Sequence, residues 1–237
     1  MVRTTELSDN IIKVTLNRPN KLNALNQSFM EAISSTINDA NTNYSVLIIE
    51  GAGESFTAGA DLDSSTREGE NGTVEFFQQL TRDVRNFEGI VIGKLHGWVI
   101  GGGFEWTLSF DLRYAASNTT FRLPEPQLGV SVSNASTVLL PLTIGPTKTR
   151  ELLYTNTDLS ADEAQELGLV SGVYKEEVLD TKVETIANEI VEHSSRTALW
   201  MNKQALNAGF PVEKVLQNEV LIGDLLSEKI DSVNWDS

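Results

Sequence analysis

Apolar and polar residues alternate along the first third of the chain, first with the period of a strand and then with that of a helix. The stretch IIKVTLN predicts a strand that ends at Asn17, and SVLIIEG predicts a short buried strand closed by Gly51. Between them, four apolar residues recur with helical spacing: Phe29, Met30, Ile33 and Ile37. A strand, a helix and a second strand are therefore expected in that order.

The middle of the chain continues this alternation. A polar run from Ser64 to Gly72 predicts a mobile loop before a helix near residues 74–87. GIVIGKLHGWVI, LRYAAS and TTFRL are typical of strands, whereas FEWTLSFD, which follows three glycines, favours a helix. Strands that alternate with helices indicate an α/β fold.

Helices predominate from Asn134 onward. The residues from Ser160 to Glu163 match a capping box, and Gly168 suits the end of that helix. VLDTKVETIANEIVEH predicts an amphipathic helix whose apolar side is formed by Val178, Val183, Ile186 and Ile190. We divide the chain into a core at residues 1–185 and a C-terminal helical region at residues 186–237.

Composition narrows the possible functions. The 237 residues contain no cysteine, which excludes disulfides, thiolate metal sites and a thiol nucleophile. The net charge of −15 argues against a nucleic-acid partner, and no segment has the apolar length of a membrane span or signal peptide. We expect a cytoplasmic protein without a membrane partner. Its acidity fits adaptation to high intracellular salt or an ordinary acidic surface equally well.

Three successive glycines precede a carboxylate in GGGFEW, residues 101–106. No Gly-Lys-Ser/Thr follows them, no Gly-x-Ser-x-Gly elbow is present, and the two histidines form no helical metal-binding pair, so we expect no metal. GAGESF after VLIIE places Phe56 where a dinucleotide fingerprint needs its third glycine. The remaining interpretation is that bare backbone amides at a helix N-terminus stabilise an oxyanion.

Four motifs occur together: LNRPNKLNALN (16–26), FTAGADL (56–62), GGGFEW and FRLPEPQLGV (121–130). Their order resembles that of the crotonase superfamily of enoyl-CoA hydratases and isomerases, and LSADEAQELGLV (159–170) extends the resemblance over nearly the whole chain. The resemblance implies a crotonase-like spiral of β-β-α turns with a C-terminal helical trimerisation region. It also implies a homotrimer or a dimer of trimers.

The same resemblance implies the site residues. The N–H groups of Ala58 and Gly102 would form an oxyanion hole for the thioester of an acyl-CoA, while Glu105 and Glu125, 20 residues apart (125 − 105), would be the catalytic acid–base pair. The implied substrate-binding residues are Ala58, Gly59, Ala60, Asp61, Leu62 and Gly102. Asp61 is expected to brace its loop. Water would add to a trans-2-enoyl-CoA to give a 3-hydroxyacyl-CoA, with no metal and no cofactor beyond the coenzyme A of the substrate.

Two departures from the family pattern keep alternatives open. Ser133, Asn134, Ala135 and Ser136 replace the usual glycine-rich turn, and the C-terminus is about one helix shorter than expected. These features also suit an enoyl-CoA isomerase that uses Glu125 alone, or a non-catalytic acyl-CoA-binding member. Arg18 or Lys21 could meet the phosphates of coenzyme A. The last helix carries an apolar stripe that predicts either an assembly surface or packing on its own domain: Leu216, Val220, Leu221, Leu225 and Leu226.

Overall fold

The computed structural model of the chain describes residues 2–62 and 70–232, with side chains given except at 70–73 and 223–232. Most of the predicted loop from Ser64 to Gly72 therefore lies outside the described residues, as do the side chains of Leu225 and Leu226. Within the described ranges, no helix is both long and apolar enough to cross a membrane.

The described ranges contain strands β1 (Val2–Ser8), β2 (Ile11–Leu16), β3 (Val46–Gly51), β4 (Ile90–Leu95), β5 (Trp98–Ile100), β6 (Leu112–Ala116), β7 (Thr120–Arg122), β8 (Leu159–Ser160) and β9 (Gly172–Tyr174). The helices are α1 (Gln27–Ala40), α2 (Glu70–Asn86), α3 (Gly101–Thr107), α4 (Ser136–Ile144), α5 (Pro146–Thr155), α6 (Ala161–Glu166), α7 (Glu176–His193), α8 (Arg196–Ala208) and α9 (Val212–Ser232). Short 3-10 helices lie at Pro19–Lys21 and Glu125–Leu128.

The strands form two sheets. The larger has the order β1-β2-β3-β4-β6-β9, with β1 antiparallel to β2 and every other pair parallel. The smaller has the order β5-β7-β8. The chain passes from the larger sheet to the smaller and then into a helix twice, as β4-β5-α3 and as β6-β7-α4. This repeat confirms the predicted spiral of β-β-α turns.

Both faces of the larger sheet are buried at its central strands, β2, β3 and β4. In β3, Leu47 and Ile49 join the main core with α1 and α2, while Val46 and Ile48 pack in a second cluster with Val183 of α7. A parallel sheet covered on both faces requires apolar residues at successive positions, which explains the uninterrupted VLII sequence.

The stretch predicted as one strand, GIVIGKLHGWVI, breaks at Gly97. This residue has φ +54°, and a Cβ there would lie 1.9 Å from the Glu54 carbonyl oxygen. Only glycine fits this position, where the chain leaves β4 in one sheet and enters β5 in the other. The break brings the following segment, α3 with its glycines, over the end of the core.

Several sequence predictions need correction. Strand β1 was not predicted, because its residues are almost all exposed and carry no apolar alternation. Helix α3 begins at Gly101, so the glycines belong to the helix rather than precede it. On α7, Val178 is 41% exposed and Leu179 packs in its place. The capping box at Ser160 is confirmed, and Gly168, with φ +77°, follows the C-cap of that helix as predicted.

The C-terminal part of the described chain is helical, as predicted. Leu216 of α9 is fully buried, whereas Leu221 is exposed. The boundary drawn at residues 185 and 186 falls inside α7, and the two-part division stays a prediction.

Candidate active site

The first turn of α3 leaves backbone N–H groups without helical partners. In any α-helix the first N–H groups lack an acceptor four residues earlier, and α3 has no side-chain cap. A Cβ on Gly102 would lie 2.8 Å from the Phe77 ring, and one on Gly103 would lie 2.2 Å from Cγ2 of Thr57. Glycine is therefore required here because neighbouring side chains occupy the space a side chain would need.

Glu105 and Glu125 meet beside this turn. Glu105 lies on α3 and is 1% exposed, while Glu125 begins the 3-10 helix after β7 and is 8% exposed. A Cβ on Gly101 would lie 2.9 Å from Oε1 of Glu125, so the glycine also makes room for that carboxyl. The two carboxyl groups are close enough to share a hydrogen bond, donated by Glu105. The structure thus brings the two predicted acids together.

Burial governs the protonation of this pair. Loss of hydration, followed by the nearby Glu125 carboxylate, holds the pKa of Glu105 well above its usual range. Burial also raises the pKa of Glu125 to about 7. Two carboxylates in contact cannot both ionise readily, so the pair carries one proton near neutral pH and titrates as a unit. One acid and one base are therefore available side by side.

Ser133 supplies both of the hydrogen-bond donors that hold Glu105. Its N–H lies 2.6 Å and its Oγ 2.8 Å from the same carboxylate oxygen, Oε2. Both bonds favour the ionised carboxylate and lower the pKa of Glu105 against the effect of burial. Oε2 of Glu125 is buried and has no hydrogen-bond partner among the described residues. The segment that departs from the family's glycine-rich turn thus contacts the acid pair directly.

The predicted oxyanion donor Ala58 is wrong, because its N–H is already used. It donates to the Leu22 carbonyl at 2.9 Å, and the next N–H, of Gly59, donates to Oγ1 of Thr57 at 3.1 Å. Within the described part of the chain, the N–H of Ala60 has no acceptor.

Ala60 can replace Ala58 because its loop lies against the glycine turn. A Cβ on Gly59, where φ is +83°, would lie 2.7 Å from the carbonyl oxygen of Ile100, the residue before α3. The free N–H of Ala60 and that of Gly102 therefore come from two backbone segments in close contact. The FTAGADL motif does not reveal which of its amides is free, since Leu22 belongs to another segment.

Asp61 is fixed by Arg18, whose Nη2 lies 2.8 Å from Oδ2. The Arg18 Nη1 also donates to the carbonyl of Ala24 at 2.6 Å. This agrees with a bracing role for Asp61, and contact of Arg18 or Lys21 with coenzyme A phosphates stays a prediction. Leu62, at the end of this loop, is exposed. Among the described residues, no group of three His, Asp or Glu side chains could hold a metal ion.

The chain is similar to known proteins over most of its length. The profile of the enoyl-CoA hydratase/isomerase family matches residues 6–230. A short-chain-enoyl-CoA hydratase of Clostridium acetobutylicum is 35% identical over 86% of this chain and 80% of its own length. A peroxisomal Delta(3,5)-Delta(2,4)-dienoyl-CoA isomerase of Arabidopsis thaliana is 30% identical over 94% of this chain and 89% of its own.

The fold has solved counterparts as well. The crystal structure of an enoyl-CoA hydratase from Bacillus anthracis superimposes with a TM-score of 0.84. The match covers 98% of this chain and 92% of that chain, at 28% identity. Sequence and structure thus point to the same set of proteins.

Proposed function

The chain belongs to the enoyl-CoA hydratase/isomerase family, and from that premise we propose that it adds water to a trans-2-enoyl-CoA to give a 3-hydroxyacyl-CoA. The observation that carries the proposal is the buried contact between Glu105 and Glu125, which holds one proton between two carboxyls. Hydration needs such a pair, since one group takes a proton from water while another delivers one to carbon.

The atoms balance within the pair. The ionised carboxyl accepts a proton from water as the oxygen bonds to C3, and the neutral carboxyl gives its proton to C2. The carbon–carbon double bond is consumed, and the pair again holds one proton. Because the addition is redox-neutral and its proton transfers stay within the two glutamates, it requires neither a metal nor a cofactor.

Charge that develops on the thioester oxygen needs donors that are free before substrate binds. The N–H groups of Gly102 and Ala60 meet that requirement. This donor pair differs from the one implied by the resemblance, in which Ala58 stood in place of Ala60. The backbone from Ala58 to Leu62 would then run beside the coenzyme A portion. Preorganised donors of this kind stabilise an enolate more than the ground-state carbonyl.

A second candidate is isomerisation of an enoyl-CoA by Glu125 alone. It is favoured by one observation: Glu105 Oε2 is occupied by Ser133, whereas Glu125 Oε2 has no partner among the described residues. A single base could move a proton between C2 and C4 without water. The isomerase among the relatives is consistent with this possibility.

Turnover in heavy water separates these functions. We expect trans-2-enoyl-CoAs of varied length to gain one water and one carbon-bound deuterium, measured by product mass. Glu105→Gln and Glu125→Gln should each lower kcat by about 10²- to 10⁴-fold, the usual loss for an acid–base group. Glu166→Gln, at the exposed end of α6, serves as the matched control and should behave like the parent.

Other outcomes would contradict hydration. Conversion of a 3-enoyl-CoA without gain of water, retained in Glu105→Gln and lost in Glu125→Gln, would establish the isomerase. Acyl-CoA binding with no turnover of any enoyl-CoA would establish a non-catalytic binding protein.

We also infer that the protein works in the cytoplasm as a trimer or dimer of trimers. Apolar side chains on the last two helices support assembly: Leu206 is 72% exposed, and Met201 and Leu221 are also exposed. Exposed apolar side chains of this size gain free energy when another chain covers them. Sedimentation in high salt should give the mass of at least three chains, and a monomer at micromolar concentration would contradict this.

A further inference from the structure

A third carboxyl is buried close to the acid pair, and it comes from the C-terminal helix. Glu219 of α9 is 5% exposed. Its Oε2 accepts from the N–H of Ala135 at 3.0 Å, and its Oε1 accepts from Oγ1 of Thr137 at 3.3 Å. No Lys or Arg among the described residues forms an ion pair with it. A buried carboxylate without a cation is expensive to maintain, which calls for a role.

Glu219 and Glu105 bind opposite ends of one short segment. The N–H of Ser133 points at Glu105, and the N–H of Ala135, two residues later, points at Glu219. Asn134 and Ala135 both have left-handed backbone, with φ +57° and +59°. Alternate amides of such a turn can bind anions. Here each amide binds a different carboxylate.

The conformation of this segment needs external support. A non-glycine residue in the left-handed region is strained and persists only where the surroundings impose it. Asn134 is held by Oγ1 of Thr81 at 3.1 Å and reaches the Gly102 carbonyl at 3.4 Å. The side chain of Ala135 can make no hydrogen bond. Its carbonyl accepts from the N–H groups of the following helix turn, and its N–H is held by Glu219.

Helix α9 is itself held in place beside the site. Nε2 of Gln78 on α2 donates to the carbonyl of Leu216 at 2.8 Å, one turn before Glu219. Phe77, the residue before Gln78, places its ring where a side chain on Gly102 would lie. The position of α9 is therefore tied to both turns that border the acid pair.

We propose that Glu219 is a positioning residue for the acid–base pair, acting through Ala135 and Ser133 to fix the carboxyl of Glu105. The proposal rests on the function proposed above and adds a residue to its machinery. It explains why a carboxylate is kept in the interior far along the chain from the two acids it serves. It also assigns a task to the segment that replaces a glycine-rich turn.

The charges around Glu219 determine in which direction its removal shifts the pKa of Glu105. Burial raises the pKa of Glu219 to about 7, the Ala135 N–H lowers it, and the Glu105 carboxylate raises it again. Of the helices packed against it, α2 offers Arg82, which pairs with Glu213 on the outer surface, and α4 offers the neutral Thr137. Removing the negative charge should thus make Glu105 ionise more readily.

The test is a double-mutant cycle on the full chain with crotonyl-CoA as substrate. Glu219→Leu removes the acceptor and should lower kcat about 10- to 100-fold, since a shift of about 1 Å can cost roughly 10²-fold, with KM changed by less than about threefold. Combined with Glu105→Gln, it should cause no further loss. Glu213→Leu, on the same helix but exposed, is the matched control and should retain parental kcat. Parental kcat in a folded Glu219→Leu protein, or full additivity with Glu105→Gln, would overturn the proposal.

Glu219→Gln keeps an acceptor for the Ala135 N–H and tests the same idea if the leucine variant does not fold. It should keep at least about a third of parental kcat, and the alkaline limb of its kcat/KM profile should move to lower pH. Titration of the Glu105 carboxyl carbon by NMR gives the same shift without turnover. Failure of the parent to hydrate any enoyl-CoA would refute the proposed function alone, whereas an unmoved Glu105 titration would refute the role of Glu219 alone.

Discussion

Two turns border the buried acid pair, and they direct their amides in opposite ways. The Gly101–Gly103 turn has no side chains, because Phe77 and Thr57 occupy the space they would need. Its N–H groups remain free because they begin an uncapped helix. The Ser133–Ala135 turn keeps its side chains, and its first and last N–H groups are already bound to carboxylates. The first turn is prepared for a ligand that arrives, whereas the second holds groups that stay. A backbone N–H without a partner in the protein is thus available to substrate, whereas one bound to a carboxylate holds that carboxylate in place.

Among tests of the two turns, the largest expected effect comes from deleting amides one at a time. Replacing the N–H of Gly102 or of Ala60 by an ester oxygen should lower kcat/KM by about 10²- to 10³-fold, the loss typical of one oxyanion donor. The same replacement at Ala58, whose N–H is bound to Leu22, serves as the control. It should lower the free energy of unfolding by about 0.5–1.5 kcal/mol and leave turnover nearly intact. Enzyme kinetics and denaturant titration measure both, and the reverse ranking would restore Ala58 as the donor.

A smaller effect is expected from Ser133→Ala, which keeps the N–H and removes the hydroxyl. The lost hydrogen bond favoured ionised Glu105, so the pKa of that carboxyl should rise further. The pair would then keep its proton to higher pH, and the alkaline limb of kcat/KM should move upward, opposite to the shift expected for Glu219→Gln. We expect kcat to fall by about tenfold, from a charged hydrogen bond worth roughly 1.5–3 kcal/mol. A profile identical to that of the parent would show that the hydroxyl is irrelevant to Glu105.

The smallest effect concerns the backbone of the second turn. Ala135→Gly relieves a left-handed alanine with φ +59° and should raise the free energy of unfolding by about 0.5–1 kcal/mol, measured in urea. Ala164→Gly, inside helix α6, should lower it by about 1 kcal/mol. Destabilisation by both substitutions would mean that Ala135 carries no strain.

The sequence predicts those parts of the molecule that a recognised motif or a regular apolar pattern encodes. The spacing of Glu105 and Glu125 within matched motifs was enough to expect their pairing, and the apolar runs were enough for the parallel strands. Strand β1 was missed because it lies exposed at the sheet edge, so its residues show no alternation of apolar and polar side chains. The choice between Ala58 and Ala60 depended on a carbonyl of Leu22, which no motif within FTAGADL encodes.

Two further contributors were beyond sequence reasoning for a different reason. Ser133 was recognised as a departure from a glycine-rich turn, but its bonds to Glu105 depend on a backbone conformation that residue types do not specify. Glu219 has the spacing of an ordinary polar position on an amphipathic helix. It is buried only because α9 docks on the rest of the chain. The sequence of α9 alone does not distinguish Glu219 from Glu213, which is exposed on the same helix.

The contact between Ala135 and Glu219 joins residues 84 positions apart. Contacts of large sequence separation are closed late in folding, because chain entropy must be lost before they stabilise anything. The sheets and the glycine turn are encoded before α9 and can form first. A chain at that stage has a folded α/β body around an acid pair whose geometry is not yet set. Catalytic competence would then appear only as the last described helix docks, so that activity reports on the completion of folding.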